Sequence, residues 1–119
     1  DKILAKDLYQ AANDLNVSTL VEVHTKHEAE IALSFEDSII GINNRNLKTL
    51  EISLDTSIEL SKILNSHKNP LICESGIVSE ENIKFIVKNA KIYNFLIGES
   101  LLKSQNTALK LKQFSEISL

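Results

Sequence analysis

Two rhythms of apolar residues alternate along the chain. Leu4, Leu8, Ala11, Ala12 and Leu15 recur at spacings of four, three, one and three, which lines one face of a helix ending near Asn16. Leu20-Val21-Glu22-Val23-His24 follows as a short β-branched run and reads as a strand. Thr25 and Glu28 have capping-box spacing, opening a helix through Phe35 with Ala29, Ala32 and Leu33 on one face. The cycle then repeats. Ile39-Ile40-Gly41-Ile42 reads as a strand, and a second capping box at Thr56 and Glu59 predicts a helix with Leu60, Ile63 and Leu64 on its apolar side. Pro70-Leu71-Ile72-Cys73 starts a third strand, with proline at the first position, where it is tolerated. Ser79 caps a further helix, with Glu80 and Glu81 in its first turn and Ile83, Ile86, Val87 and Ala90 facing inward. Phe95-Leu96-Ile97 reads as the last strand, and residues 107–114 as a terminal helix.

A helix followed by four strand–helix units, with strands apolar on both faces, predicts a parallel sheet covered by helices. Strands are expected near 20–24, 39–43, 71–75 and 94–98. Two architectures satisfy the pattern: an open doubly wound sheet, or an arc of a (β/α)₈ barrel. Periodicity does not separate them.

Composition narrows the functional classes. The 119 residues suit one domain, and the apolar fraction of 43% and charged fraction of 24% are ordinary for a globular protein. A net charge of −3 argues against a strong binder of nucleic acid or anionic membrane. Cys73 is the only cysteine, which excludes an intrachain disulfide and fits a reducing compartment. No apolar run approaches the roughly 18 residues of a membrane-spanning helix. The N-terminal residues lack a signal-peptide layout, so a cytoplasmic location is expected. The chain has no methionine, and its first residue is Asp1, which leads us to expect a piece of a longer protein.

The candidate chemistry lies at the carboxyl ends of the strands, where parallel α/β sheets place their sites. Glu22 and His24 end the first strand, Asn43 and Arg45 the second, Glu74 and Ser75 the third, and Gly98, Glu99 and Ser100 the fourth. Glu22 and Glu74 sit within apolar runs, where an ionised carboxylate is costly without a partner. Gly76 and Gly98 mark strand-to-helix turns whose backbone N–H groups suit an anion. His24 and His27 form an H-x-x-H pair, but one ends a strand and the other opens a helix, so no metal site is expected. Cys73 reads as a packing residue, and Lys103, Lys110 and Lys112 as a solvated helix face.

Four segments together resemble one family. Leu20-Val21-Glu22-Val23-His24-Thr25, the run from Ile40 through Asn43-Asn44-Arg45-Asn46-Leu47 to Thr49, Glu74-Ser75-Gly76-Ile77, and Asn94 to Leu101 are similar in order and spacing to indole-3-glycerol phosphate synthases. The resemblance covers essentially the whole chain and implies a (β/α)₈ TIM barrel. It matches the fourth helix through the eighth βα unit, so residues 1–119 would form the C-terminal half of a single barrel domain. It implies closure of the indole ring of 1-(2-carboxyphenylamino)-1-deoxyribulose 5-phosphate, with loss of carbon dioxide and water, and no metal or organic cofactor. Glu22 would be the proton-transfer glutamate, Asn43 would orient substrate, and Glu74 and Ser75 would line the pocket as further catalytic residues. Arg45 would meet the anthranilate carboxylate, and Gly76, Gly98 and Glu99 would bind phosphate through their backbone. The family's general-acid lysine, a second lysine and another glutamate belong to its first three strands, which this chain does not include. Activity is therefore expected of a parent enzyme and not of the fragment, which is expected to self-associate or to need the N-terminal half. Two alternatives are another phosphate-binding barrel, such as phosphoribosylanthranilate isomerase or the tryptophan synthase α subunit, and a non-catalytic half-barrel module.

Overall fold

The computed structural model describes residues 2–15 and 18–98. The elements alternate as read: α1 (Lys2–Asp14), β1 (Leu20–Val23), α2 (Lys26–Ala32), β2 (Ile39–Asn43), α3 (Asp55–Ile63), a 3-10 turn (Leu64–Ser66), β3 (Leu71–Glu74), α4 (Glu80–Ala90) and β4 (Asn94–Leu96). The terminal helix expected at 107–114 lies outside the described residues.

All three strand pairings are parallel, and the order in the sheet is β1-β2-β3-β4. That order decides between the two architectures. A doubly wound sheet reverses its strand order at a switch point, whereas an order that never reverses, joined by crossovers of one hand, keeps every connecting helix on one face. The core agrees: Val23, Ile40, Ile42 and Cys73 occupy one face of the sheet and are buried with Ala29, Ala32, Leu60, Leu64, Ile83 and Ile86 of the helices. The fold is part of a (β/α)₈ barrel.

The other face is the barrel's interior, and it is mixed, not apolar throughout as expected. The register aligns Glu22, Gly41, Ile72 and Asn94 in one row and Asn43, Glu74 and Leu96 in the next. Leu20 and Leu96, on the two edge strands, are 53% and 58% exposed. Each strand is thus apolar toward the helices and carries one polar side chain toward the barrel axis: Glu22, Asn43, Glu74 and Asn94.

Several boundaries differ from the sequence reading for identifiable reasons. α2 stops at Ala32 instead of Phe35 because the Ser34 hydroxyl donates to the Ile31 carbonyl at 2.7 Å, closing the helix with a tighter turn. Phe35 then packs edge-on against Tyr9 of α1, with ring centroids 5.0 Å apart. That aromatic contact docks α1, while Leu8 and Leu15 of its predicted stripe remain 63% and 75% exposed. β1 ends before His24, whose N–H turns to the Glu28 carboxylate at 2.9 Å. The predicted box at Thr56 and Glu59 does not form, since α3 begins at Asp55, one residue before Thr56. The box at Thr25 does form, and the expected cap at Ser79 proves to be a box as well, with Asn82 as its third helical residue.

Candidate active site

Glu22 and Glu74 stand on β1 and β3, with β2 between them. Strands are spaced about 4.8 Å apart, so side chains two strands away meet only if the intervening residue is small. Gly41 fills that position: a Cβ built there would overlap Glu74 Oε2. The Glu74 side chain thus lies over Gly41 and reaches Glu22.

Glu74 is 6% exposed, and its Oε2 is buried without a donor among the described residues. Two carboxylate oxygens can bond only through a proton held by one of them. Burial, then the charge of Glu22 and a hydrogen bond to it, push Glu74 up from the ordinary 4.5 to about 7. Near neutral pH the pair therefore retains a proton that an isolated glutamate would have lost. Asn43 completes the cluster, donating through Nδ2 to Glu22 Oε1 at 3.2 Å and accepting the Arg45 N–H on Oδ1 at 2.9 Å. The Asn43 carbonyl lies 2.6 Å from His24 Nδ1. A carbonyl can only accept, so Nδ1 carries the ring proton.

The raised acid has a consequence for folding. A carboxyl whose folded-state pKa exceeds its unfolded value stabilises the fold fully below about pH 4.5, and that contribution is lost as pH rises through 7. We expect Glu74→Gln to remove this loss. Melting temperatures measured from pH 5 to 8 should fall for the native protein relative to the variant; parallel curves would show that Glu74 titrates normally.

Beyond this cluster the strand ends enclose a cavity of 580 Å³ lined by Arg45, Ile52, Glu74, Ser75, Gly76 and Gly98, among others. Five positions singled out in the sequence therefore border one space. Ser75 and Gly76 both have positive φ, 68° and 82°. At Gly76 a Cβ would stand 2.8 Å from Ile52 Cγ2 and 3.0 Å from Leu54 Cδ2, whereas at Gly98 it would meet nothing within 4 Å. Glycine is required sterically at the first turn and not at the second. Glu99 lies outside the described residues.

Asn44, given no role in the sequence reading beyond its place in the family-like run, is fully buried. Its Oδ1 accepts from Ser57 N and Ser57 Oγ at 3.1 and 2.8 Å, and its Nδ2 donates to the Ser75 carbonyl at 3.0 Å and to Cys73 Sγ at 3.1 Å. Asn44 thus supplies the cap that Thr56 does not. The one available signal was a second asparagine directly following Asn43. Cys73 is buried, and burial pushes its thiol up despite the bonds from Ser57 and Asn44, consistent with packing and not nucleophilic chemistry. Among the described residues no three His, Cys, Asp or Glu side chains are grouped to hold a metal, and no helix is long and apolar enough to cross a membrane.

A second cavity, of 600 Å³, lies at the opposite ends of the strands, beside Lys62, His67, Pro70, Tyr93 and Asn94. Barrel enzymes place their chemistry at the carboxyl ends, where the paired glutamates are found.

The profile of one family, indole-3-glycerol phosphate synthase, matches residues 1–114. The chain belongs to that family. Among curated members, an indole-3-glycerol phosphate synthase from Bacillus cereus (strain AH187) is 43% identical over 101 residues, covering 85% of this chain and 40% of the relative. One from Bacillus thuringiensis (strain Al Hakam) is 44% identical over the same length and coverage. One from Paracidovorax citrulli (strain AAC00-1) is 39% identical over 100 residues, covering 84% of this chain and 37% of the relative. The chain spans about two fifths of the length of these indole-3-glycerol phosphate synthases.

Proposed function

We propose that this chain is the C-terminal half of an indole-3-glycerol phosphate synthase barrel, from the fourth helix through the eighth βα unit. Its parent would act in tryptophan biosynthesis as a carboxy-lyase, closing the indole ring of 1-(2-carboxyphenylamino)-1-deoxyribulose 5-phosphate with loss of carbon dioxide and water. The observation that carries the reading is the cluster of Glu22, Asn43 and Glu74 on the barrel's inner face. Losing water from the ring-closed adduct needs a proton withdrawn and a proton delivered to the departing hydroxyl. Glu22 is the proton-transfer carboxylate, and Asn43 fixes its orientation and that of the substrate. Glu74 holds a proton near neutral pH beside it, and Ser75 lines the pocket. The Arg45 guanidinium suits the anthranilate carboxylate as a fork-shaped donor. The backbone N–H groups of Gly76, Gly98 and Glu99 take the phosphate.

The chain alone does not carry the family's general-acid lysine, and its inner sheet face carries exposed Leu20 and Leu96 at the edges. Open edges invite strand pairing, and covering apolar surface contributes about 25 cal/mol per Å². We therefore expect the isolated 119-residue polypeptide to sediment as a dimer or larger and to show no ring closure. Adding the N-terminal half-barrel of the family should restore turnover, followed by the fluorescence of the indole product. Turnover by the polypeptide alone, or no turnover with the added half, contradicts this division of the site; a stable monomer contradicts the role given to the exposed edges.

A further inference from the structure

We infer that Asn44 is a positioning residue: its side-chain amide holds the Ser75–Gly76 peptide so that the Gly76 N–H faces outward, toward the phosphate. This rests on the phosphate placement proposed above and adds a residue to it that touches no substrate.

The argument runs through groups with only one possible role. The Ser57 backbone N–H can only donate, so the Asn44 atom facing it at 3.1 Å is Oδ1. The remaining amide atom is then Nδ2, which can only donate, and it meets the Ser75 carbonyl at 3.0 Å. The peptide bond is planar, and no cis peptide occurs among the described residues, so the Ser75 C=O and Gly76 N–H point in opposite directions. Anchoring the carbonyl inward on Asn44 therefore turns the Gly76 N–H away from the interior. Were this peptide to flip, the N–H would confront Nδ2, donor against donor. The first turn of α3 thereby sets the orientation of a peptide after β3, through one buried side chain.

Asn44 is itself fixed on all sides. Its N–H donates to the Glu74 carbonyl at 2.9 Å, and its own carbonyl accepts from Ser53 at 3.0 Å. The residue that aims the turn is therefore tied to the backbone of Glu74, one of the paired carboxyls. The Ile52 and Leu54 side chains close on the Gly76 Cα from the same segment.

Asn44→Asp tests this in the complete barrel containing the chain. It keeps an acceptor for Ser57 and replaces the donor to Ser75 with an acceptor. The flipped peptide would then give its N–H to the new carboxylate and withdraw it from the phosphate. We expect inorganic phosphate, titrated while the Gly76 amide is followed by NMR, to bind about tenfold more weakly, as for one lost hydrogen bond to a charged group. KM for the phosphorylated substrate should rise by about the same factor with kcat within about threefold. Lowering the pH protonates the new carboxyl, restores a donor, and should recover phosphate binding relative to the native protein. Ser57→Ala, which leaves Nδ2 on Ser75, should keep phosphate affinity within about twofold. A through-bond NMR coupling between Asn44 Nδ2 and the Ser75 carbonyl carbon is expected in the native protein and tests the contact even if Asn44→Asp does not fold. Absence of that coupling, or native phosphate affinity in a folded Asn44→Asp, overturns the inference alone. A native Gly76 amide indifferent to saturating phosphate overturns the phosphate placement as well.

Discussion

Glu22→Gln in the complete enzyme is expected to lower kcat for ring closure by about 10²–10⁴-fold, the usual contribution of a positioned acid or base. KM should change little, because the substitution preserves shape and leaves an oxygen able to accept from Asn43 Nδ2. The loss would come from removing the group that moves the proton. A second signature accompanies it. The charge of Glu22 is one of the causes that raise Glu74, so the variant's residual activity should show the Glu74 limb of its pH profile moved to lower pH, with burial still holding it above an ordinary glutamate. Steady-state fluorescence assays across pH 5 to 9 read both. A kcat within fivefold of the native value would remove Glu22 from proton transfer, whatever happened to the limb.

Gly76→Ala should be more destabilising than Gly98→Ala, the glycine substitution at the other turn proposed to bind phosphate. An alanine at φ 82° carries a left-handed penalty of about 1–2 kcal/mol, and its Cβ would stand 2.8 Å from Ile52 Cγ2. Ile52 is 43% exposed and can yield somewhat, so we expect a loss of about 2 kcal/mol in urea unfolding. Gly98→Ala, with open space around it, should change stability by less than about 0.5 kcal/mol. Equal losses at the two positions would mean that the Ser75–Gly76 turn is not held as described.

The fold was largely legible because helix and strand periods differ, and four short apolar runs separated by amphipathic stretches leave few arrangements. What the pattern did not carry was spatial order: an open sheet and a barrel arc share it, and only the pairing of β1 through β4 in sequence separates them. The candidate site was legible as a set of positions, since Glu22, Asn43, Arg45, Glu74 and Ser75 were picked out by their polarity in or after apolar runs. Its electrostatics were not. That Glu74 reaches Glu22 depends on the absence of a side chain at Gly41, and a glycine inside a strand announces nothing about what lies over it. Asn44 was hidden for a related reason. Its partners, Ser57, Cys73 and Ser75, are separated from it by 13 to 31 residues, so local spacing rules that recognised the caps at Thr25 and Ser79 had no purchase on it. The same distance explains the misplaced start of α3: a helix capped from a neighbouring strand end needs no cap in its own sequence.

The space above Gly41 ties the histories of two positions together. A family member that acquires a methyl group at the position of Gly41 has lost the room that its counterpart of Glu74 occupies, and a shorter acid there would reclaim the room but fall short of the first strand. Neither change is neutral when it comes first, so the intermediates on any mutational path between the two arrangements are handicapped. Positions 41 and 74 should therefore drift as a unit or not at all, and a lineage that abandons one has, in effect, abandoned the carboxyl pair.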